Sequence, residues 1–296
     1  MTMPSHTQPS IAPMVAGSIG LAIGAMVSFQ LAVALSRPLT AEIGAPAVSW
    51  IRMATAAFIL IAVIRPKFGA MTRQAIWSAL LLGGTLALMS VAFLAAAGRL
   101  PLGLVSTISF MGPLSVAVLT APATARPLAL GLAMTAAVGV LLILAPHAQG
   151  GESGWDADGT GLVYAVIAAI CWAVYIILLR RVGTVFAGTD GLCVSLLAAA
   201  LLLTPTGLVA FDHPPPLSVL LGSAGLALLA PLLTCCLELK ALRQLGTQCF
   251  GILMSLEPAI AALLGFALLH EIPTAQQFLG MVYVVVASAG TVRLAK

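Results

Sequence analysis

The sequence predicts an all-α integral membrane protein of ten transmembrane helices, arranged as two inverted five-helix repeats. Three observations carry this. Apolar residues make up 61% of the 296 positions, and Asp, Glu, Lys and Arg only 7%; soluble domains run at roughly 45–50% and about 25%. Ten runs of the chain each stay apolar for about 20 residues, the length of helix that crosses the hydrocarbon. The ten divide into five and five at the connection 147–160, and an odd number of crossings starts the second half from the opposite side. So little polar surface cannot cover a soluble core, which excludes a soluble enzyme, a nucleic-acid binder and a disordered chain.

A short cytoplasmic tail, 1–13, precedes the first run at 14–35. Residues 1–10 hold no Lys or Arg and the run is longer than a signal-peptide core, so it reads as a retained helix. The remaining spans are expected near 46–64, 75–97, 101–120, 127–146, 161–179, 191–210, 217–237, 247–268 and 276–294. The first repeat is then 14–146 and the second 161–294. Runs such as "AAFILIAVI" are continuously apolar, whereas barrel strands alternate.

Each repeat carries a proline within its fourth span, Pro113 and Pro258, 145 residues apart. A mid-helix proline leaves the carbonyl four residues earlier free, here that of Ser109 and of Met254. Free backbone groups at membrane depth persist only where protein or a wet cavity satisfies them. Both prolines are therefore expected as helix breaks beside a cavity, with a plain packing kink as the alternative.

Basic residues set the orientation. Arg65, Lys67, Arg73, Arg126, Arg180, Arg181, Lys240, Arg243, Arg293 and Lys296 fall on one side, and Arg37 and Arg99 on the other. The positive-inside rule then puts both termini in the cytoplasm. The longest external connection is acidic, with Glu152, Asp156 and Asp158. Cys171, Cys193, Cys235, Cys236 and Cys249 all fall in apolar runs and read as small hydrophobes. His6, His147, His213 and His270 lie in the tail or in connections. No Cys/His set has metal-ligand spacing, so no metal or cofactor is expected. Neither a P-loop nor G-x-S-x-G is present, and no nucleophile–base set converges; the chain reads as neither an ATP-driven pump nor an enzyme.

Two ionisable residues lie within spans, Arg52 and Glu257. A charge there is costly and normally faces a cavity or a partner. Glu257, near the middle of span 9, is read as a proton-coupling carboxylate, a site for a substrate ammonium, or a structural partner of Arg52. Ser28 and Gln30 are polar positions in span 1. Trp172 and Tyr175, three apart, share a helix face that suits a substrate cavity, interior packing or an interface anchor. Glu238, Lys240 and Arg243 close span 8 as a cytoplasmic gate or a solvated helix end.

The segments "SFQLAVALS" (28–36), "GAPAVSWIRMA" (44–54), "PLGLVSTISFMGPLSVAVL" (101–119), "CWAVYIILLRR" (171–181) and "LELKALRQLGTQCFGILMSLEPAIAALLGFALLHE" (237–271) resemble the EamA type of the drug/metabolite transporter superfamily. Within it they are most similar to the inner-membrane threonine/homoserine exporters. The resemblance spans essentially the whole chain. It implies a proton-linked exporter of small metabolites with a central cavity between the halves. Gln30, Arg52, Glu238 and Glu257 stand where the exporter pattern has the same residue types. Related exporters often carry Glu three residues before the Gly-Pro of span 4, where this chain has Ser109. That leaves Glu257 as the one acidic residue expected deep in a span.

The expected function is secondary active export of threonine- or homoserine-like amino acids or related metabolites, proton-coupled and by alternating access. The expected partners are a small-molecule substrate, protons and the lipid bilayer of the inner membrane, without nucleic acid. Export of non-amino-acid metabolites or drugs is the alternative within the class. A non-transporting membrane scaffold is the alternative outside it.

Overall fold

A computed structural model describes residues 11–66, 71–119, 123–124, 126–148, 158–186, 188–210 and 214–293. Residues 1–10, Lys67, Glu152, Asp156, His213 and Lys296 lie outside these, as do the side chains of His147, Cys249 and Arg293. The described chain is helical: α1 (Ile11–Ile64), α2 (Arg73–Ala97), α3 (Leu102–Leu119), α4 (Arg126–Ala148), α5 (Gly159–Val185), α6 (Asp190–Val209), α7 (Leu217–Ala227), a π-helical turn (Leu228–Leu233), α8 (Thr234–Met254), α9 (Glu257–Leu269) and α10 (Ala275–Arg293). Five stretches are long and apolar enough to cross a membrane, and four apolar helices are shorter.

Several features differ from the expected spans, and α8 runs on through 238–246, expected as the connection between spans 8 and 9. The first two runs form one helical segment that bends at Gly44. Its φ of 80° lies in the region that favours glycine. Helix is described from Ile11 onward. The expected break at Pro113 is absent, because α3 runs through that proline without interruption. Pro258 does mark a break, between Met254 and Glu257, and opens the first turn of α9. A proline is tolerated there because its missing N–H has no intrahelical partner to lose.

Local capping sets the other ends. The Thr72 and Asp158 side chains accept from the Ala75 and Thr160 N–H groups and start α2 and α5. Thr274 and Gln277 form a reciprocal capping box at α10. Arg243 donates to the carbonyls of Gly183, Phe186 and Gly188 around the end of α5, a cation against the negative helix end.

Small residues let the helices approach closely. An added Cβ at Gly83 would meet the Ser195 carbonyl at 2.3 Å, locking α2 to α6. One at Gly112 would meet the Ala169 carbonyl at 2.0 Å, locking α3 to α5. The main packing partners are α4 with α10, α2 with α5 and α6, α1 with α6 and α8, and α3 with α5 and α9. Arg65, Arg73, Arg126, Arg180, Arg181, Lys240 and Arg243 are exposed, whereas Arg52 is buried. Cys171, Cys193 and Cys235 are buried free thiols and Cys236 is half-buried.

Candidate functional site

The site starts from a helix that fails. In "LLAPLLT" Pro231 has no N–H to give, and Ala230 leaves the helical region at φ −145°, ψ 129°. The carbonyls of Leu229 and Ala230 then need other donors, because a buried polar group without a partner is expensive. Ser28 donates to Leu229 at 2.8 Å and Thr234 at 3.0 Å. Arg52 Nε donates to Ala230 at 2.8 Å, and its NH1 to Ser36 Oγ at 3.2 Å. The guanidinium is thus held across the break in span 8. Pro231 was not singled out from the sequence, although a proline within an apolar span was the available signal.

A cavity of about 50 Å³ opens beside it, lined by α1, α2, α5, the π-helical turn and α8. It has room for about four waters at ~10–15 Å³ each. Its wall is mostly apolar, with Phe29, Met53, Leu86, Met89, Phe93 and Trp172. Trp172 is the hub of an aromatic cluster. Its ring stands edge-on to Phe110 at 6.2 Å and to Phe93 at 6.5 Å, and tilted to Phe29 at 6.3 Å, spacings at which aromatic pairs attract. Arg52, Tyr175 and Glu238 bring the charge and the strong donor. Tyr175 donates its hydroxyl proton to Glu238 Oε2 at 2.6 Å. Among the described residues no ion pair within 4.0 Å involves Arg52, Glu238 or Glu257.

A second polar cluster lies apart from that wall. Gln30 follows Phe29, and a turn of about 100° per residue points the two apart. Gln30 Nε2 donates to Glu257 Oε1 at 2.7 Å and to Ser106 Oγ at 3.1 Å. Gln30 is 0% and Glu257 1% exposed. The broken ninth span places Glu257 at the first position of α9. Its carboxylate therefore sits at the positive end of a helix dipole. Ser109 is fully buried and its hydroxyl has no partner among the described residues.

The predicted residues thus fall into two groups. Arg52, Trp172 and Tyr175 line one cavity, and Gln30 and Glu257 share a hydrogen bond outside its wall. The Arg52–Glu257 pair does not form, because Arg52 is turned to the freed Ala230 carbonyl and Glu257 to Gln30. Glu257 lies at a helix start rather than mid-helix, and it is not the only deep acid. Glu238, read as a gate or a solvated end, is 7% exposed and lines the cavity. The span runs on to Leu245, which puts Glu238 well short of its end. Sequence reasoning missed the cavity's Met53, Met89, Phe93 and Thr234, which carry no signal beyond ordinary span composition.

Two ion pairs tie the ends of the helices on the other side. Arg37 pairs with Glu271, whose second oxygen accepts from the Leu102 N–H at 2.8 Å, joining α1, the start of α3 and the end of α9. Arg99 pairs with Asp158 at 2.6 Å. The hydrogen bond from Arg99 holds the Asp158 carboxyl below its usual range, and the same bond raises Arg99.

Comparison with known proteins is informative along most of the chain. Residues 159–293 match the EamA-like transporter family. The threonine/homoserine exporter RhtA of Salmonella typhimurium is 34% identical over 268 residues, 90% of this chain and 88% of the relative. RhtA of Escherichia coli K12 is 33% identical over the same shares. A protein of known crystal structure, 16% identical, superposes with a TM-score of 0.60 over 95% of this chain and 98% of its own, which supports the fold alone. Long apolar helices broken beside a buried cavity that holds charged groups and kinship along nine-tenths of the chain converge on one assignment: this chain belongs to the EamA-like transporter family and is a multi-pass membrane transporter of small molecules, not an enzyme.

Proposed function

We propose that the protein is a secondary exporter of threonine- or homoserine-like amino acids in the inner membrane, coupled to protons and working by alternating access. The carrying observation is the cavity with Arg52, Tyr175 and Glu238 in its wall beside the broken eighth span. Broken helices around a buried site that holds a few charged groups are a recurring transporter device. Kinship with threonine/homoserine exporters supports the substrate class.

The pattern of helix neighbours supports two repeats. Exchanging each span for the one five further on turns the α2–α5 contact into α1–α8, turns α3–α5 into α1–α9, and maps α4–α10 and α3–α9 onto themselves. The bias of basic residues supports an orientation with both termini in the cytoplasm. In this reading the halves rock about the cavity. Glu257, held by Gln30 at the start of α9, carries the coupling proton, and the Arg37–Glu271 and Arg99–Asp158 pairs close the outer side.

The test is flux in liposomes with an imposed pH gradient. Labelled threonine and homoserine should move in a gradient-dependent way, and each should compete with the other. Glu257→Gln should insert and fold normally but lose gradient-driven flux. Full gradient-driven flux in that variant would remove the coupling role. A folded wild-type protein with no amino-acid flux would overturn the substrate assignment.

A further inference from the structure

We propose that the cavity reads both charged ends of one α-amino acid, Arg52 taking the carboxylate and Glu238 the ammonium. This rests on the amino-acid reading above and adds the residues and polarity of recognition.

Arg52 is 3% exposed and lines the cavity. A guanidinium has five N–H donors. Two are used, on Ala230 and Ser36, and the other three have no acceptor among the described residues. No carboxylate lies within 4.0 Å. A buried cation without a counter-charge is strongly unfavourable, and here it faces an open space. An anionic ligand group entering that space supplies the missing charge, and a carboxylate fits the planar fork of the guanidinium.

Glu238 supplies the opposite pole. It is buried in the same wall, and Tyr175 occupies Oε2. Oε1 accepts no hydrogen bond among the described residues. Arg52 comes from span 2 and Glu238 from span 8. They share one cavity, and no ion pair within 4.0 Å joins them. An α-amino acid carries its ammonium and its carboxylate on one carbon, so a single bound molecule can face both groups. Glu257 does not compete for the ammonium, because it is outside the wall and bonded to Gln30. The apolar wall of Phe29, Met53, Met89 and Trp172 remains for the side chain.

The consequence is selectivity against either half of the zwitterion. Homoserine without its ammonium is γ-hydroxybutyrate, and without its carboxylate it is propanolamine. Both are smaller than homoserine, so neither is rejected by size. In proteoliposomes carrying labelled homoserine, each should compete about 10- to 100-fold less well than unlabelled homoserine, the value of one lost charge-assisted contact. Glu238→Gln should collapse the preference for homoserine over γ-hydroxybutyrate while keeping that over propanolamine. Arg52→Gln should do the reverse, and Arg52→Lys should restore part of the preference over propanolamine. Wild-type flux of homoserine competed equally by both analogues would overturn the two-pole assignment and leave the exporter reading standing. So would a Glu238→Gln variant that still rejects γ-hydroxybutyrate. Absence of homoserine and threonine flux in folded wild-type protein would overturn both. Should Arg52→Gln fail to fold, the wild-type series and Glu238→Gln alone decide the matter.

Discussion

Gly112→Ala places one methyl group against the backbone of a neighbouring helix. The new Cβ would lie 2.0 Å from the Ala169 carbonyl oxygen, 2.9 Å from its carbon and 3.1 Å from the Ala173 nitrogen. A carbonyl in a helix cannot rotate away as a side chain does. α3 and α5 must separate by about 1.5–2 Å to reach an ordinary contact of about 3.5–4.0 Å. Overpacking of this kind costs roughly 1–3 kcal/mol, while replacing Gly by Ala within a helix returns about 0.8–1.0 kcal/mol. The net is a loss of up to about 2 kcal/mol. Gly84→Ala is the matched control, since its Cβ meets only Leu202 Cδ1 at 3.6 Å and should keep the helix gain. At about 2–4 °C per kcal/mol, thermal unfolding of purified protein should rank Gly84→Ala at or above wild type and Gly112→Ala below it. The shift should also reach the cavity, because α5 carries Trp172 and Tyr175, and homoserine flux should fall. A Gly112→Ala protein that melts at or above wild type would refute the close α3–α5 approach.

Gln30→Leu leaves a Glu257 oxygen that is buried at 1% exposure without its donor and should lower stability by about 1–3 kcal/mol, read by thermal unfolding; an unchanged midpoint would mean that Gln30 does not hold Glu257. Glu271→Ala strips the acceptor from both Arg37 and the Leu102 N–H and should lower the unfolding temperature, whereas Glu271→Gln, which keeps an acceptor for the N–H, should lower it less. The Asp158 carboxyl is depressed by its bond from Arg99, so its contribution is complete above the unfolded-state value of about 3.9 and is lost only as pH falls through the lower folded value. The unfolding difference between wild type and Asp158→Asn should be constant near neutral pH and vanish in strong acid; a difference that persists there would show that the pair is not its source.

Membrane class, span positions and the polar residues worth following were legible because lipid imposes one rule on every stretch of chain. A crossing must be apolar for its whole length and satisfy its own backbone. That rule acts locally, so composition alone excluded a soluble fold, and Arg52 and Glu257 stood out against it. The breaks were read less well. Proline identity was the same at Pro113, Pro231 and Pro258, yet α3 passes through the first while the chain leaves the helix at the other two. Whether a freed carbonyl becomes a break depends on which donors stand opposite, and here Ser28, Thr234 and Arg52 come from elsewhere along the chain or across the bundle.

Pairing followed the same logic. Sequence alone determined that this protein lives in the membrane, roughly where its apolar helices run, and that Arg52 and Glu257 are costly side chains. Only the tertiary structure decided that Arg52 turns to Ala230 instead of Glu257, that Gln30 takes Glu257, and that Glu238 faces a cavity rather than water. The physical reason is range. Hydropathy is summed along a helix, whereas the partner of a buried charge is set by residues up to 227 positions away that only packing brings within 3 Å.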